Sequence, residues 1–426
     1  MHVLRVSMFF AAVPLFAAPQ DSAGNLKPKD VREIAKEGSA AMPRLRALLK
    51  NPVLEIRIEA VKAIVQTGTQ HSIDPLIEAT LDADAEIQIR ATDGLVNFYQ
   101  PGYVQSGLSA SFRRAGTKII SRFSDTNDAV VPPYIQARPE VVGALGKLVR
   151  GGAGQEVRAN AARAVGVLRG ASAMPDLLEG LRSKDTDLIY ETLVALQKIR
   201  DPKVAGNVVF LLRDLDPKVQ IAAIETTGIL RNKDALPDLA GVLNRTRNAK
   251  VRRAALTAIA MLPDTKNRDI YARYLQDKDE GMRGAAAEGY GRLGEKSDVP
   301  ALRTAFEEER KDSPRLSLAF ALVMLGDEKL SEESPLQYLV NTLNSSARKG
   351  EAFPLLEELA RKPAVRAAIY PALPQGTKDE KIQLAQILAR SGAADSSAPL
   401  ESLTHDANSE VVQEAVRALQ ALKARI

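Results

Sequence analysis

The sequence predicts an all-α protein in which about twelve antiparallel helix pairs stack into an α-solenoid, a superhelix of repeated units. Three observations predict this fold: an apolar pattern with helical spacing recurs along the chain, prolines recur at the same interval, and the composition suits closely packed helices. The chain has 426 residues, of which 45% are hydrophobic and only 4% aromatic, with no Trp. Alanine and leucine must therefore fill most of the core.

The segment 250–262 shows the apolar pattern most clearly. Its core-forming residues have the spacing that places them on one face of an α-helix: Val251, Ala255, Ala258, Ile259 and Leu262. A second, shorter apolar run precedes it at 236–243. Pro237 near the start of that run suits the first turn of a helix, where its missing N–H removes no helical bond. The two runs predict a unit of helix, turn and helix.

This unit recurs with a nearly constant period. The position of Arg252 in the second helix of each pair is matched at Arg57, Arg90, Arg158, Ile189, Gln220, Arg283, Arg315, Gln383 and Val412. Most steps between these positions are roughly 32 residues long, a period typical of stacked helical repeats. Two steps, Arg90 to Arg158 and Arg315 to Gln383, are twice as long, and each is interpreted as two units of about 34 residues.

The first-helix prolines follow the same interval: Pro43, Pro75, Pro139, Pro175, Pro237, Pro300, Pro335 and Pro399. Because one helix pair cannot cover its own apolar face, neighbouring pairs must cover it, which predicts a linear stack.

The second-helix segment 156–168 resembles HEAT repeats, and more narrowly the short-repeat subclass named after phycobilin lyases. The resemblance extends over roughly 40–426 and implies a scaffold that binds other molecules. In that family, the arginine after the second-helix valine usually pairs with an acidic residue of an adjacent turn. The matching structural arginines are Arg57, Arg90, Arg158, Arg252, Arg283 and Arg315. Ile189, Gln220, Gln383 and Val412 depart from the pattern, so an unbroken ladder of arginines is not expected.

The amino terminus has the pattern of a secretory signal. A basic start, Met1 to Arg5, is followed by an apolar run from Val6 to Ala18 and then by polar residues. The alternative is a membrane-anchored terminus, but the run is shorter than the roughly 20 residues that span a bilayer. We therefore predict a signal peptide over 1–18 and an exported protein, periplasmic or extracellular, with no transmembrane segment in the mature chain. A leader and capping helix at 19–39 would precede the solenoid at 40–426.

Residues 100–138 interrupt the repeat pattern. A helical stretch at about 109–123 carries four basic residues, and aromatic residues gather on both sides of it. The segment is either a degenerate repeat with a solvated basic face or an insertion that binds a partner. If it is the specific contact, aromatics would bury apolar area and basic residues would select partner charge. The candidate partner-binding residues are Tyr99, Tyr103, Arg113, Arg114, Lys118, Arg122 and Tyr134.

Four turns carry Asp-x-Asp: Asp82/Asp84, Asp185/Asp187, Asp214/Asp216 and Asp277/Asp279. A calcium loop of the EF-hand type needs Gly at its sixth position, which here holds Ile87, Tyr190, Val219 or Met282. We therefore predict that these aspartates cap helices by accepting hydrogen bonds from the N–H groups of the first turn.

The sequence contains little material for catalysis. It has no Cys, so disulfides, thiolate metal ligands and a cysteine nucleophile are excluded. It has three His, and His71 and His405 lie at separate repeat turns without ligand spacing. We expect no catalytic residues, no metal and no cofactor.

The predicted function is a non-enzymatic, exported scaffold that binds one or more proteins of unknown identity. The first alternative is an enzyme similar to phycobilin lyases, which the repeat subclass suggests. The second is weak contact of the basic helix with an anionic envelope surface. Nucleic acid is not the expected partner, because a net charge of +5 over 426 residues is a weak field and export separates the protein from it.

Overall fold

The computed structural model describes residues 26–103 and 129–426, and every regular element in these two ranges is helical. An opening helix, Pro28–Ala35, precedes a regular alternation of shorter first helices and longer second helices. The first helices are Met42–Leu48, Ile73–Ala79, Pro139–Gly151, Met174–Gly180, the 3-10 segment Pro202–Arg213, Leu236–Arg245, Arg268–Tyr274, Val299–Glu308, Pro335–Thr342, Pro363–Ile369 and Ser397–Leu403. The second helices are Leu54–Thr67, Ala85–Tyr99, Gln155–Val167, Thr186–Ile199, Pro217–Ile229, Ala249–Ala260, Glu280–Leu293, Asp312–Met324, Lys349–Leu359, Lys378–Ser391 and Ser409–Lys423.

The first helices start where the prolines predicted. Pro43, Pro175, Pro237 and Pro300 each occupy one of the first two helical positions, where a missing N–H breaks no helical bond. Several first helices are also preceded by a 3-10 turn, such as Lys233–Ala235 before Leu236–Arg245. In these repeats the tight turn redirects the chain after the second helix.

Packing between neighbouring pairs holds the stack together. One continuous core of buried apolar side chains runs from Val31 to Leu422, and it is composed mostly of alanine, leucine and valine. Second helices pack against the second helices before and after them, as Glu280–Leu293 does against Ala249–Ala260 and Asp312–Met324. The opening helix, Pro28–Ala35, buries Val31 and contacts Leu54–Thr67. The predicted all-α solenoid is therefore confirmed.

The two double-length steps of the repeat have different structures. Between Arg315 and Gln383, the second helix Lys349–Leu359 packs against the helices on both sides, so this step contains two units as predicted. Between Arg90 and Arg158, the second helices Ala85–Tyr99 and Gln155–Val167 contact each other directly, and Asn160 Nδ2 donates to Asp93 Oδ1 over 2.9 Å. These two helices are neighbours in the stack, so the interpretation of that step as two stacked units is wrong. The predicted basic helix at 109–123 lies outside the described residues.

Glycines allow some second helices to approach unusually closely. A Cβ added at Gly166 or at Gly291 would lie 2.7 Å from the Cα of Ala195 or of Ala321 in the next second helix. At Gly228, the corresponding distance to the Cα of Ala258 is 3.1 Å. Side chains at these positions would separate the helix backbones, so the glycines bring neighbouring second helices together near their carboxyl ends.

The Asp-x-Asp turns cap second helices, as predicted. Asp84, Asp216 and Asp279 accept hydrogen bonds from backbone N–H groups of the first helical turn. In the remaining turn, the first aspartate, Asp185, is the cap and accepts from Leu188 N, while Asp187 pairs with Lys218. The capping residue differs because Thr186–Ile199 starts directly after the first aspartate of its motif.

A substitution at Gly291 tests whether the close helix approach matters for stability. In an open helix, Gly→Ala stabilises by about 0.5–1 kcal/mol because alanine loses less backbone entropy on folding. Gly291→Ala should instead destabilise by about 1–3 kcal/mol, because the new methyl group meets the Ala321 backbone. Gly143→Ala is the matched control, since this helical glycine is exposed and has no atom within 4 Å of an added Cβ. The two urea-unfolding midpoints should shift in opposite directions, and a stabilising Gly291→Ala would contradict the packing argument.

Substitution of Asp279 tests the caps and their pH dependence. Asp279 accepts from Gly281 N and Met282 N and pairs with Arg253, whose hydrogen bond is the main cause of the lowered pKa of Asp279. Asp279→Ala should cost about 1 kcal/mol for the cap, plus at most about 0.5 kcal/mol for the half-exposed ion pair.

Because the pKa of Asp279 is depressed on folding, its charge stabilises fully above the unfolded pKa of about 3.9. That contribution is lost as pH falls through the lower folded pKa. Asp279→Asn keeps a capping oxygen, so it should lose only the smaller contribution of the ion pair with Arg253 to the free energy of unfolding. Unfolding midpoints of wild type and both variants at pH 7, and at successive lower pH values, measure these differences. Equal losses for Ala and Asn at pH 7 would show that the cap contributes nothing.

Candidate functional site

The inner side of the stack contains a groove of about 880 Å³, which lies in the size range of ligand pockets. Five consecutive second helices contribute to its lining: Pro217–Ile229, Ala249–Ala260, Glu280–Leu293, Asp312–Met324 and Lys349–Leu359. Arg200, which follows an earlier second helix, lines the same groove as Arg361, which follows the last of these five. The groove therefore has two walls, made by parts of the chain that are distant in sequence.

The middle of the groove is a neutralised cluster of charges. The Arg292 guanidinium pairs with Glu288 over 3.0 Å and with Glu358 over 2.8 Å, and it lies 4.9 Å from the ring of Phe320. Burial alone would lower the pKa of Arg292, but attraction to Glu288 and the hydrogen bond to Glu358 raise it above its ordinary value. Because both carboxylates bind the same guanidinium, this cluster offers little free charge to a ligand. It also links helix Lys349–Leu359 to helix Glu280–Leu293.

The groove also has an acidic edge at the amino ends of the second helices. Glu280 and Glu351 line it at the first turns of their helices. Ser313 Oγ donates to Glu351 Oε2 over 2.5 Å, so this carboxylate is already oriented by a neighbouring repeat.

The opposite edge, at the carboxyl ends of the second helices, is basic. Arg169, Arg200 and Arg231 follow three consecutive second helices and recur at the repeat period. Their φ angles are 51°, 59° and 56°, so all three have the left-handed backbone conformation. We call these three residues the arginine ladder. Arg200 and Arg231 line the groove directly.

Other repeats have glycine at the same structural place. Gly68, Gly294 and Gly326 also follow second helices, with φ angles of 57°, 80° and 112°. Glycine has this conformation without steric cost, whereas each arginine costs of order 1–3 kcal/mol. Three repeats therefore retain arginine where glycine would be the more stable choice, which suggests that the side chains have a role.

The ladder side chains make no direct ion pair within the described residues, although the Glu357 carboxylate attracts Arg169. Within residues 26–103 and 129–426, none of the three guanidinium groups has an ion pair or a side-chain hydrogen bond. Arg169 is accessible to solvent, yet burial is the first cause that lowers its pKa, followed by the like charges of Arg200 and Arg390. All three arginines of the basic edge are exposed, and the like charges of Arg169 and Arg200 repel each other.

The predicted partner-binding tyrosines have different environments. Tyr99 is only 7% exposed, and its hydroxyl accepts a hydrogen bond from Arg138 N over 3.0 Å, so it contributes to packing. Tyr103 is near Arg163, and burial raises its pKa to about 12. Tyr134 is 40% exposed and is the most accessible of the three. Arg113, Arg114, Lys118 and Arg122 lie outside the described residues.

The structural repeat arginines form several kinds of contact rather than one ladder. Arg57 pairs with Asp82 over 2.8 Å and Arg283 with Glu309 over 2.7 Å, each on an adjacent turn as the resemblance implied. Arg90 pairs with Glu86 of its own helix, and Arg158 donates to the Val149 carbonyl. Arg315 lies 4.8 Å from the ring of Phe306 and 5.0 Å from that of Tyr338. Arg252 has a buried Nε without a hydrogen-bond partner in the described chain.

Sequence reasoning missed the arginine ladder, although one signal was present. The position twelve residues after the second-helix valine holds glycine in several repeats and arginine in three consecutive ones, and these arginines recur at the repeat period. Alignment of repeats by the second-helix valine would have placed Arg169, Arg200 and Arg231 in one column with Gly294. The second wall of the groove has no such signal, because it depends on how the superhelix winds.

Membrane-spanning and metal-binding features are both missing from the described ranges. None of the helices within them is both long enough and apolar enough to cross a membrane. No group of three or more His, Asp or Glu residues in 26–103 and 129–426 is placed to hold a metal ion.

Comparison with known proteins identifies the repeats. Residues 174–260 and 242–323 match the family model of HEAT repeats, and residues 56–82 match the PBS lyase HEAT-like repeat. No curated protein matches the chain by sequence.

Several solved structures share the helical stack at low sequence identity. A complex of CpcE and CpcF of phycocyanin lyase from Nostoc sp. PCC7120 is 16% identical, with a TM-score of 0.31, covering 84% of this chain and 100% of that one. Kap121p bound to Pho4p is 12% identical, with a TM-score of 0.42, covering 93% of this chain and 56% of that one. A structure on the interaction between cadherin and beta-catenin is 14% identical, with a TM-score of 0.39, covering 89% of this chain and 98% of that one.

These likenesses carry no argument about function, because each of these TM-scores is below 0.5. The matched segments and the stacked helix pairs agree with each other, and together they show that the chain contains HEAT repeats arranged as an α-solenoid.

Proposed function

We propose that this chain is an exported, non-enzymatic scaffold that binds another protein in its inner groove. The observation that carries the proposal is the basic edge of a two-walled groove, where charged side chains are accessible but have no partner within the described chain. Like charges held on one edge repel one another, and a partner of opposite charge removes that cost. A groove lined by successive repeats is also the surface that solenoids present to extended partners.

Export is supported by the sequence of the first eighteen residues, which have the basic start and short apolar run of a secretory signal. The absence of cysteine is compatible with this, because a long helical core needs no disulfides to remain folded. The proposal is for a periplasmic or extracellular protein.

The predicted contact at Tyr99–Tyr134 becomes secondary in this proposal. Tyr99 is occupied by packing, and only Tyr134 of the three tyrosines is clearly exposed. The basic residues Arg113, Arg114, Lys118 and Arg122 remain a prediction, and joint neutralisation of all four should leave capture of a groove-bound partner intact.

Removal of the signal is the first testable expectation. The full-length chain should be shortened near Ala17 or Ala18 on expression in a bacterium and should be recovered from the periplasm or medium. Mass spectrometry of the intact protein measures the new amino terminus. A replacement of Leu15 and Phe16 by Asp should block both processing and export, and unprocessed protein in the cytoplasm of the unmodified strain would contradict the proposal of export.

Site-specific photo-crosslinking tests the groove as the contact surface. A photoreactive amino acid at Thr257, an exposed residue of the groove, should crosslink to a defined protein in living cells. The matched position is Arg273, an exposed residue of the first helix Arg268–Tyr274. Crosslinks from Arg273 but not from Thr257 would show that the groove is not the contact surface. Crosslinks from neither position, or only to nucleic acid, would reject a protein-binding scaffold.

A further inference from the structure

The arginine ladder points to the chemistry of the partner. We infer that Arg169, Arg200 and Arg231 bind an acidic, extended polypeptide segment whose carboxylates recur at about every third residue. This inference rests on the proposed function, because it names the class of partner for the same groove.

The spacing of the ladder favours a chain over a small anion. Neighbouring packed helices lie about 8–10 Å apart, so the three arginines span about 16–20 Å. A single carboxylate or phosphate reaches only one or two of them. A polypeptide in the extended polyproline II conformation has three residues per turn and advances about 3.1 Å per residue, so carboxylates at every third position lie on one face about 9 Å apart and match the repeat.

The guanidinium groups suit this ligand. An arginine presents a planar fork of N–H donors that binds a carboxylate through two parallel hydrogen bonds. The donors are available, since none of the three guanidinium groups has a hydrogen-bond partner in the described chain. Arg361 lines the same groove at the carboxyl end of a later second helix, so it would add a further cation for the segment.

The rest of the groove restricts how the segment enters. Glu357 pairs with Arg390 over 3.5 Å, and the cluster of Glu288, Arg292 and Glu358 is neutralised internally. The remaining acidic edge, Glu280 and Glu351, would repel carboxylates. An acidic segment is therefore confined to the edge where the second helices end.

The left-handed backbone gives a variant that separates binding from folding. Glycine is the residue that other repeats use at this place, so Arg169→Gly, Arg200→Gly and Arg231→Gly together remove three cations and relieve three strained positions. The thermal midpoint of this triple variant should equal or exceed that of wild type. A purely structural role for the arginines would instead lower it.

Binding is measured with a defined probe, a fluorescein-labelled peptide of four Glu-Gly-Ser triplets, by fluorescence anisotropy at low salt. Wild type should bind it, and the affinity should fall as salt rises. The triple Gly variant should bind at least tenfold more weakly. A control triple, Arg182→Ala, Arg247→Ala and Arg310→Ala, removes the same charge from exposed loops at the other end of the helices and should bind within twofold of wild type.

The outcomes that overturn the inference are specific. If the triple Gly variant binds the peptide as tightly as wild type, the ladder is not the binding site. If the control triple loses as much affinity as the triple Gly variant, net charge alone explains the binding. A peptide of the same composition with its four Glu residues adjacent should bind at least threefold more weakly than the spaced peptide, and equal binding would overturn the register argument. Binding of a thymidine 20-mer that is equally sensitive to the triple Gly variant would overturn the assignment to polypeptide.

Two controls keep the test decisive. If the triple Gly variant does not retain the helical circular dichroism of wild type, Arg200→Gly alone decides, with an expected loss of at least threefold. If the peptide does not bind wild type while the Thr257 crosslink persists, the inference fails and the scaffold function stands. If the crosslink is absent as well, the proposed function fails.

Discussion

The structure depends on one constraint: a pair of short amphipathic helices cannot bury its own apolar face. Each pair leaves one side of its second helix open, and only the next pair covers it. The continuous core from Val31 to Leu422 is the result, and it is built largely from alanine, leucine and valine because the second helices pack closely. At Gly166 and Gly291 the approach is so close that no side chain fits, so the constraint acts on backbone as well as side-chain packing.

The same constraint explains what the sequence could predict. A nearly constant repeat period gives each repeat the same local structure, so helix pairs, proline starts and aspartate caps follow from patterns within one repeat. Asp216 and Asp279 cap helices because their turns have the right residue next to the right apolar run. The direct contact between Ala85–Tyr99 and Gln155–Val167 could not be predicted, because spacing alone does not show whether a double-length step adds a unit to the stack.

The groove is harder to predict because it depends on accumulated geometry. Small rotations between successive repeats decide which distant residues meet, and no local pattern encodes their sum. The cluster of Glu288, Arg292 and Glu358 and the shared groove of Arg200 and Arg361 both arise in this way. The arginine ladder combines the two levels: its period is local, whereas the position of Arg200 and Arg231 in the groove depends on the superhelix. Its three arginines have a left-handed backbone conformation that glycine adopts at lower cost.

The stack winds until its middle and carboxyl-terminal repeats face each other, and one distance tests this winding most directly. Because the chain has no cysteine, cysteines that replace Arg169 and Arg390 would be the only two sites for a thiol-reactive spin label. Six second helices separate these positions, so a straight stack would place them about 60 Å apart. The structure instead places Glu357, the ion-pair partner of Arg390, in the same groove as Arg200, which follows the second helix next to the one before Arg169. Double electron–electron resonance should therefore give a label distance well below that of a straight stack, and a distance of about 60 Å would contradict the account.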